Sequence, residues 1–192
     1  MRKICFWIFS GFMMLSTGRV FGFSTNLWPG EGIPTFMTKS NTIRFKRTPL
    51  RTARTIEEIR MRKGETISAT HHFVVTKKSL PMVYKVKKMI KAPCFGNVKT
   101  VTQDMYYQDG KITTLTFGEH EGGELLQARA EGENFVMVKN GNICLFNHDE
   151  LGVRRPAKPE VEWWIRSPIP KKSEKAGWLL IGTDVTLGPR KF

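Results

Sequence analysis

Long apolar runs are missing from this 192-residue chain. The longest, from Ile4 to Leu15, is about a dozen residues, and a helix needs about twenty to cross a bilayer. Cysteine is scarce too: only Cys5, Cys94 and Cys144 occur. Cys5 lies in the apolar leader, so at most one internal disulfide remains beyond it, too few for a stapled miniprotein. Their redox state stays open. No CxxC, no Cys/His zinc spacing, no Ser/His/Asp set and no phosphate-binding glycine loop is present. Those absences argue against a structural zinc site and against the common nucleophilic hydrolases. Beyond residue 61 no segment carries a sustained helical period, which argues against an α-helical body.

Acids are the other scarcity, and their absence is local. Residues 1–63 hold 12 Lys and Arg against 3 acids, whereas residues 64–192 hold 19 against 14. The formal charge of +14 and the pI near 10 therefore come mostly from the N-terminal third. Long basic runs are absent from the remainder, so no nucleic-acid partner is expected.

Arg2-Lys3 followed by the Ile4–Leu15 apolar stretch has the form of a secretory signal peptide. Val20 and Gly22 suit the positions read by signal peptidase, making 1–22 the leader and Phe23 the new N-terminus. Residues 23–56 contain nine Ser or Thr, five Arg or Lys between 44 and 54, and a single acid, Glu31. That is a transit-peptide composition. The two-part arrangement, with an aromatic at the junction, resembles the bipartite presequence of algae with complex plastids. It implies plastid import by the secretory route, with plain secretion as the alternative and no transmembrane segment in the mature protein.

The domain is expected over 57–192. Residues 56–61 read as one or two helical turns, a short N-terminal helix. Short β-type segments follow at 66–77, 81–90, 98–107, 111–119, 123–130, 134–139, 142–147, 160–167 and 177–187. Gln108-Asp109-Gly110 and Asn140-Gly141 are hairpin signals, because glycine tolerates the positive φ of tight turns. The expected fold is mostly β, an antiparallel lipocalin-like barrel of eight to nine strands with room for one small ligand.

Candidate chemistry concentrates in Glu162-Trp163-Trp164-Ile165-Arg166. On a strand, Val161, Trp163 and Ile165 share one face and Glu162, Trp164 and Arg166 the other. The second set joins an acid able to supply protons, a flat aromatic and a guanidinium that pairs carboxylates. Such a set suits a conjugated, carboxylate-bearing ligand; the alternative is a core face opposite solvated charges. His71 and His72 are adjacent and so point to opposite faces, which keeps them from sharing a metal. His72 is the candidate ligand contact. Cys144 alternates like a buried strand residue.

Several segments, in order, resemble the S-type phycobiliprotein chromophore lyases, the CpcS/CpeS family. Gly64–Phe73 resembles their first strand, Glu124-Leu125-Leu126 a central segment, Phe135–Phe146 a turned hairpin, Glu162–Pro168 the tryptophan–proline motif, and Ala176–Leu180 the last strand. The resemblance implies a barrel holding an open-chain tetrapyrrole of phycocyanobilin or phycoerythrobilin type. It also implies transfer of that bilin to a cysteine of a phycobiliprotein subunit, with no further cofactor. Aligned on Trp164 and Pro168, the family's acid position falls at Val161, with Glu160 and Glu162 on either side, its arginine position at Lys171, and its serine position at Lys175, two residues after Ser173. Two readings of another class stay open: a non-catalytic plastid subunit that assembles with a photosynthetic complex, and a secreted carrier of an apolar ligand.

Overall fold

A computed structural model of the chain describes residues 23–26, 35–129, 132–152 and 158–188. The leader reading of 1–22 lies outside them. The described chain is mostly β, in three sheets that are antiparallel apart from one short parallel pair, and none closes into a barrel.

The largest sheet has seven strands in the order β4 (Thr55–Arg60), β3 (Thr42–Lys46), β15 (Lys172–Leu180), β14 (Glu160–Ile169), β6 (His71–Lys78), β1 (Ser24–Thr25) and β9 (Thr100–Val101). Residues 35–54, which composition placed ahead of the domain, are threaded through the sheets. Ile43 and Phe45 alternate with Arg44 and Lys46, so β3 buries the first pair completely. The 56–61 segment is a strand and not a helix. Its backbone pairs with β3, Ile59 packs inward, and Arg44 Nε donates to Glu58 Oε2 at 2.8 Å directly across the ladder. Cross-strand pairing and burial outweigh a local preference that a six-residue segment cannot enforce.

A three-stranded sheet, β16 (Val185–Leu187), β2 (Phe36–Thr38) and β5 (Thr66–Ile67), packs Phe36, Ile67 and Val185 against Ile43, Phe45, Ile165 and Leu179 of the large sheet. At Gly177 the backbone runs so close to Phe45 that an added Cβ would lie 2.6 Å from the Phe45 Cβ.

The third sheet orders β10 (Lys111–Phe117), β8 (Lys88–Cys94), β13 (Ile143–Asn147), β12 (Glu133–Met137), β11 (Gly122–Ala128) and β7 (Leu80–Val83). It curls until its edges approach: Tyr84, directly after β7, meets Phe117 of β10 at 5.0 Å between ring centroids. Met82, Tyr84, Ile90, Phe117, Phe146 and Leu151 fill the concave side. Where a ligand-holding barrel was expected, the curl is occupied by side chains. Asn140 and Gly141 both take positive φ in the tight turn joining β12 and β13, as their sequence predicts. The Gln108-Asp109-Gly110 signal has a different outcome: it ends a π-helical turn, Met105–Asp109, that leads into β10.

Two features lock this sheet. Cys94 and Cys144 form a disulfide, and they are the one residue pair in the ladder between β8 and β13. Cys144 is buried, as its alternation predicts, but as half of a bridge. The sheet is joined to its larger neighbour through polar contacts: Thr76 Oγ1 donates to the Leu126 carbonyl at 2.9 Å, and Gln127 Nε2 donates to the Val74 carbonyl at 3.2 Å.

Candidate functional site

Strand β14 sets the site by simple alternation. Val161, Trp163 and Ile165 face the other sheets, with Ile165 fully buried. Glu162, Trp164 and Arg166 face the opposite way. Register then adds neighbours to each: Val75 beside Glu162, Phe73 and Leu180 beside Trp164, and His71 and Trp178 beside Arg166. Trp178 in turn lies opposite Lys46 of β3. The outward face thus carries a row His71–Arg166–Trp178–Lys46 and, next to it, a row Phe73–Trp164–Leu180.

These rows differ in exposure. Trp164 is only 2% exposed and Leu180 4%, although both point away from the core. The β3–β4 loop, residues 47–54, lies on this side of the sheet. Starting beside Trp178, it crosses β15 and β14 until Arg51 Nε reaches Glu162 Oε1 at 2.5 Å. Lys46 Nζ donates to the Ala53 carbonyl at 3.1 Å, which ties down the loop's base. Tied at these two points, the loop forms a strap on the face that carries Trp164.

Glu162 is 8% exposed and fully engaged. Besides Arg51, its second oxygen accepts a hydrogen bond from Trp164 Nε1 at 3.3 Å and lies 4.0 Å from Lys77 Nζ. Two cations and an indole N–H meet one carboxylate, which is how a buried charge is kept tolerable. This carboxylate, through Arg51, holds the loop in place.

At the strap's flank, Asp184 accepts a hydrogen bond from the Leu180 amide at 2.9 Å. Burial raises its carboxyl above the ordinary aspartate range; that bond and the charges of Lys46, Arg44 and Arg51 oppose the rise.

The row His71–Arg166–Trp178–Lys46 is open by comparison. His71 and Arg166 are exposed, and Trp178 and Lys46 half-buried. Phe73 meets Trp178 edge-on, with ring centroids 6.0 Å apart. The arrangement offers aromatic surface bordered by three basic side chains, suited to an anionic partner with a flat or apolar portion.

Of the residues singled out from sequence, Glu162, Trp164 and Arg166 come together. His72 does not join them: it stands on the inner face opposite Ile165, where burial lowers its pKa and a hydrogen bond to the Asn26 backbone pulls the other way. Lys171 occupies the β14–β15 turn with φ of 63°. Nine residues along an extended strand separate it from Glu162, roughly 25–30 Å. Ser173 lies at the start of β15, and its side chain is outside the described residues. Arg51, Lys77, Phe73 and Trp178 were missed, and of the two adjacent histidines it is His71, not His72, that stands on this face. Alternation along His71–Lys78 carried a signal for four residues on one face; nothing in the sequence linked Arg51 to an acid 111 positions away.

A half-open cleft of about 380 Å³ lies in the curled sheet, lined by Thr114, Phe117, Glu121, Val138, Lys139 and Asn142. Lys139 and Glu121 pair at 3.4 Å along it, and it contains none of the residues above. Among the described residues no cluster of His, Cys, Asp or Glu could hold a metal ion, and no helix is long and apolar enough to cross a membrane. Compared with known families, curated proteins and solved structures, the chain matches none of them.

Proposed function

We propose that the protein is a non-catalytic binding subunit that takes an anionic partner across the row His71–Arg166–Trp178–Lys46, with the plastid as its expected compartment. The observation that carries this reading is the contrast between two neighbouring rows. Glu162, the acid best placed for proton transfer, is spent on Arg51, Lys77 and Trp164, while the adjoining basic and aromatic row is open. Transfer of a bilin to a phycobiliprotein cysteine needs a group with a proton to give, and Glu162, the acid the sequence offers for that role, is tied to three partners.

A linear tetrapyrrole without transfer is the second reading, favoured by the Phe73–Trp178 pair beside Arg166. A conjugated chain would stack on Trp178 and direct its propionates to Arg166 and Lys46. The half-open cleft of the curled sheet carries no aromatic–guanidinium pair, so this reading puts the pigment on the outward face.

One titration tests both. Full-length protein is mixed with phycocyanobilin, and pigment absorption and tryptophan quenching are followed. A shifted band that disappears in Arg166→Glu and Trp178→Ala but survives in Lys171→Ala supports the bilin reading. No shift, with an acidic polypeptide quenching Trp178 in an Arg166-dependent way, supports the anionic-partner reading alone. Neither response at micromolar concentration would reject both.

A further inference from the structure

A second surface stands apart from that face. The outer side of β11–β13 is covered by Phe23, Val101, Phe95 and the half-buried Met105 and Tyr106. That cover ends at β8. On β8 and β10, Ile90, Ala92, Cys94 and Phe117 turn inward, whereas Met89, Lys91, Pro93, Ile112, Thr114 and Thr116 turn out. Ladder register sets Ile112 opposite Pro93, Thr114 opposite Lys91, and Thr116 opposite Met89. Met89 is 70% exposed, Ile112 65%, and Val86, in the turn entering β8, 69%.

Charge on the ribbon itself has one sign, with Asp109 and Glu119 flanking the two ends of β10. Residues 66–103 contain seven lysines, no arginine and no acid, and β10 adds Lys111 without an acid of its own. Lys85, Lys87 and Lys91 are exposed beside Val86 and Met89, and none of the three pairs with a carboxylate among the described residues. Lys88 is the exception, since it donates to the carbonyls of Asp149 and Glu150. A strand ribbon with exposed aliphatic tips and unpaired lysines is an unusual soluble surface, because contiguous apolar exposure normally marks a contact.

We propose that this β8–β10 ribbon docks on an anionic lipid surface, with Val86, Met89 and Ile112 entering the headgroup layer and Lys85, Lys87 and Lys91 meeting lipid phosphates. The residue types favour lipid over the other anionic partners. The tips are aliphatic and the cations all lysine. Bases are held by stacking aromatics and by arginine forks; β8 and β10 carry no arginine and one aromatic, the inward Phe117, and the exposed Tyr107 lies ahead of β10. Lysine serves a diffuse layer of headgroups as a point charge, and aliphatic side chains gain by leaving water. The inference does not rest on the reading of the Arg166 face.

Flotation of the full chain with phosphatidylcholine vesicles, with and without phosphatidylglycerol, tests it. Each lysine near an anionic surface strengthens binding about five-fold. Lys85→Glu/Lys87→Glu/Lys91→Glu should therefore lose about a hundred-fold or more in affinity for the anionic vesicles. Met89→Ser/Ile112→Ser should retain the electrostatic part and become more sensitive to salt. Arg166→Glu, on the other face, should bind like the wild type, which separates this surface from the one above. Equal binding to both vesicle types, or a triple variant that keeps its circular dichroism and still binds anionic vesicles like the wild type, would overturn the proposal. Displacement from vesicles by an acidic polypeptide, without loss in the triple variant, would overturn it as well.

Discussion

Reducing the Cys94–Cys144 bridge should destabilise the protein by about 4 kcal/mol. The two residues are 50 positions apart, and the loop they close contains β9, β10, β11 and β12. Loop-closure entropy for a ring of that size gives about 4 kcal/mol at 25 °C. With a urea slope of about 2 kcal/mol per molar, the unfolding midpoint should fall by about 2 M. Urea titrations followed by tryptophan emission, with and without a phosphine reductant, measure it. Wild-type protein serves for both arms, so no cavity from a Cys→Ala change enters the comparison. Alkylation under denaturing conditions provides the control: only Cys5 should label before reduction, and all three cysteines after it. Amide exchange should rise along β8 and β10, whose link to β13 is a single ladder pair, before it rises in β6 or β14. Labelling of all three cysteines without reductant, or a midpoint shift below about 0.5 M, would refute the reasoning.

The strap supplies a second prediction. Arg51→Ala should cost about 1 kcal/mol, near the low end because Arg51 is 62% exposed, and should red-shift tryptophan emission as Trp164 gains water. Adding Glu162→Gln should cost less than the two single changes summed; strict additivity would show that the contact carries nothing. Gly177→Ala should cost about 1–3 kcal/mol by driving a methyl into Phe45, and an unchanged melting temperature would contradict the close approach. The lowered pKa of His72 has a definite sign. Its neutral form is favoured in the fold, so this stability is present above pH 6.5 and is lost as pH falls below that value through the folded pKa. His72→Gln should flatten that acid limb, and an identical limb in the variant would assign the loss to other groups.

Much of the β organisation is legible in the sequence, for reasons visible in particular residues. Period-two alternation at 161–166 assigns both faces of β14 correctly, and Asn140-Gly141 marks its turn because few residues tolerate positive φ. Other features depend on distant parts of the chain. Ile56–Met61 supports a helical or an extended reading, and β3 decides between them. Whether strands close a barrel depends on curl and strand order, which no local pattern encodes. Alternation also says which way Trp164 points but not what covers it. Arg51, in a loop that composition assigns to a targeting segment, is what reaches Glu162, and no local pattern encodes that pairing.

The threading of residues 35–54 through two sheets bears on how the polypeptide is matured. A protease trimming the chain near position 56 would remove Phe36, Ile43 and Phe45 from the finished core, and with them the strand that seats β4 against β15. It would also take away Arg51 and leave the Glu162 carboxylate without its nearest cation. Phe23 is buried against Phe135, at 5.5 Å between rings, so the folded body extends back to that residue. Residues 35–54 thus serve the folded protein as framework, whatever else they carry.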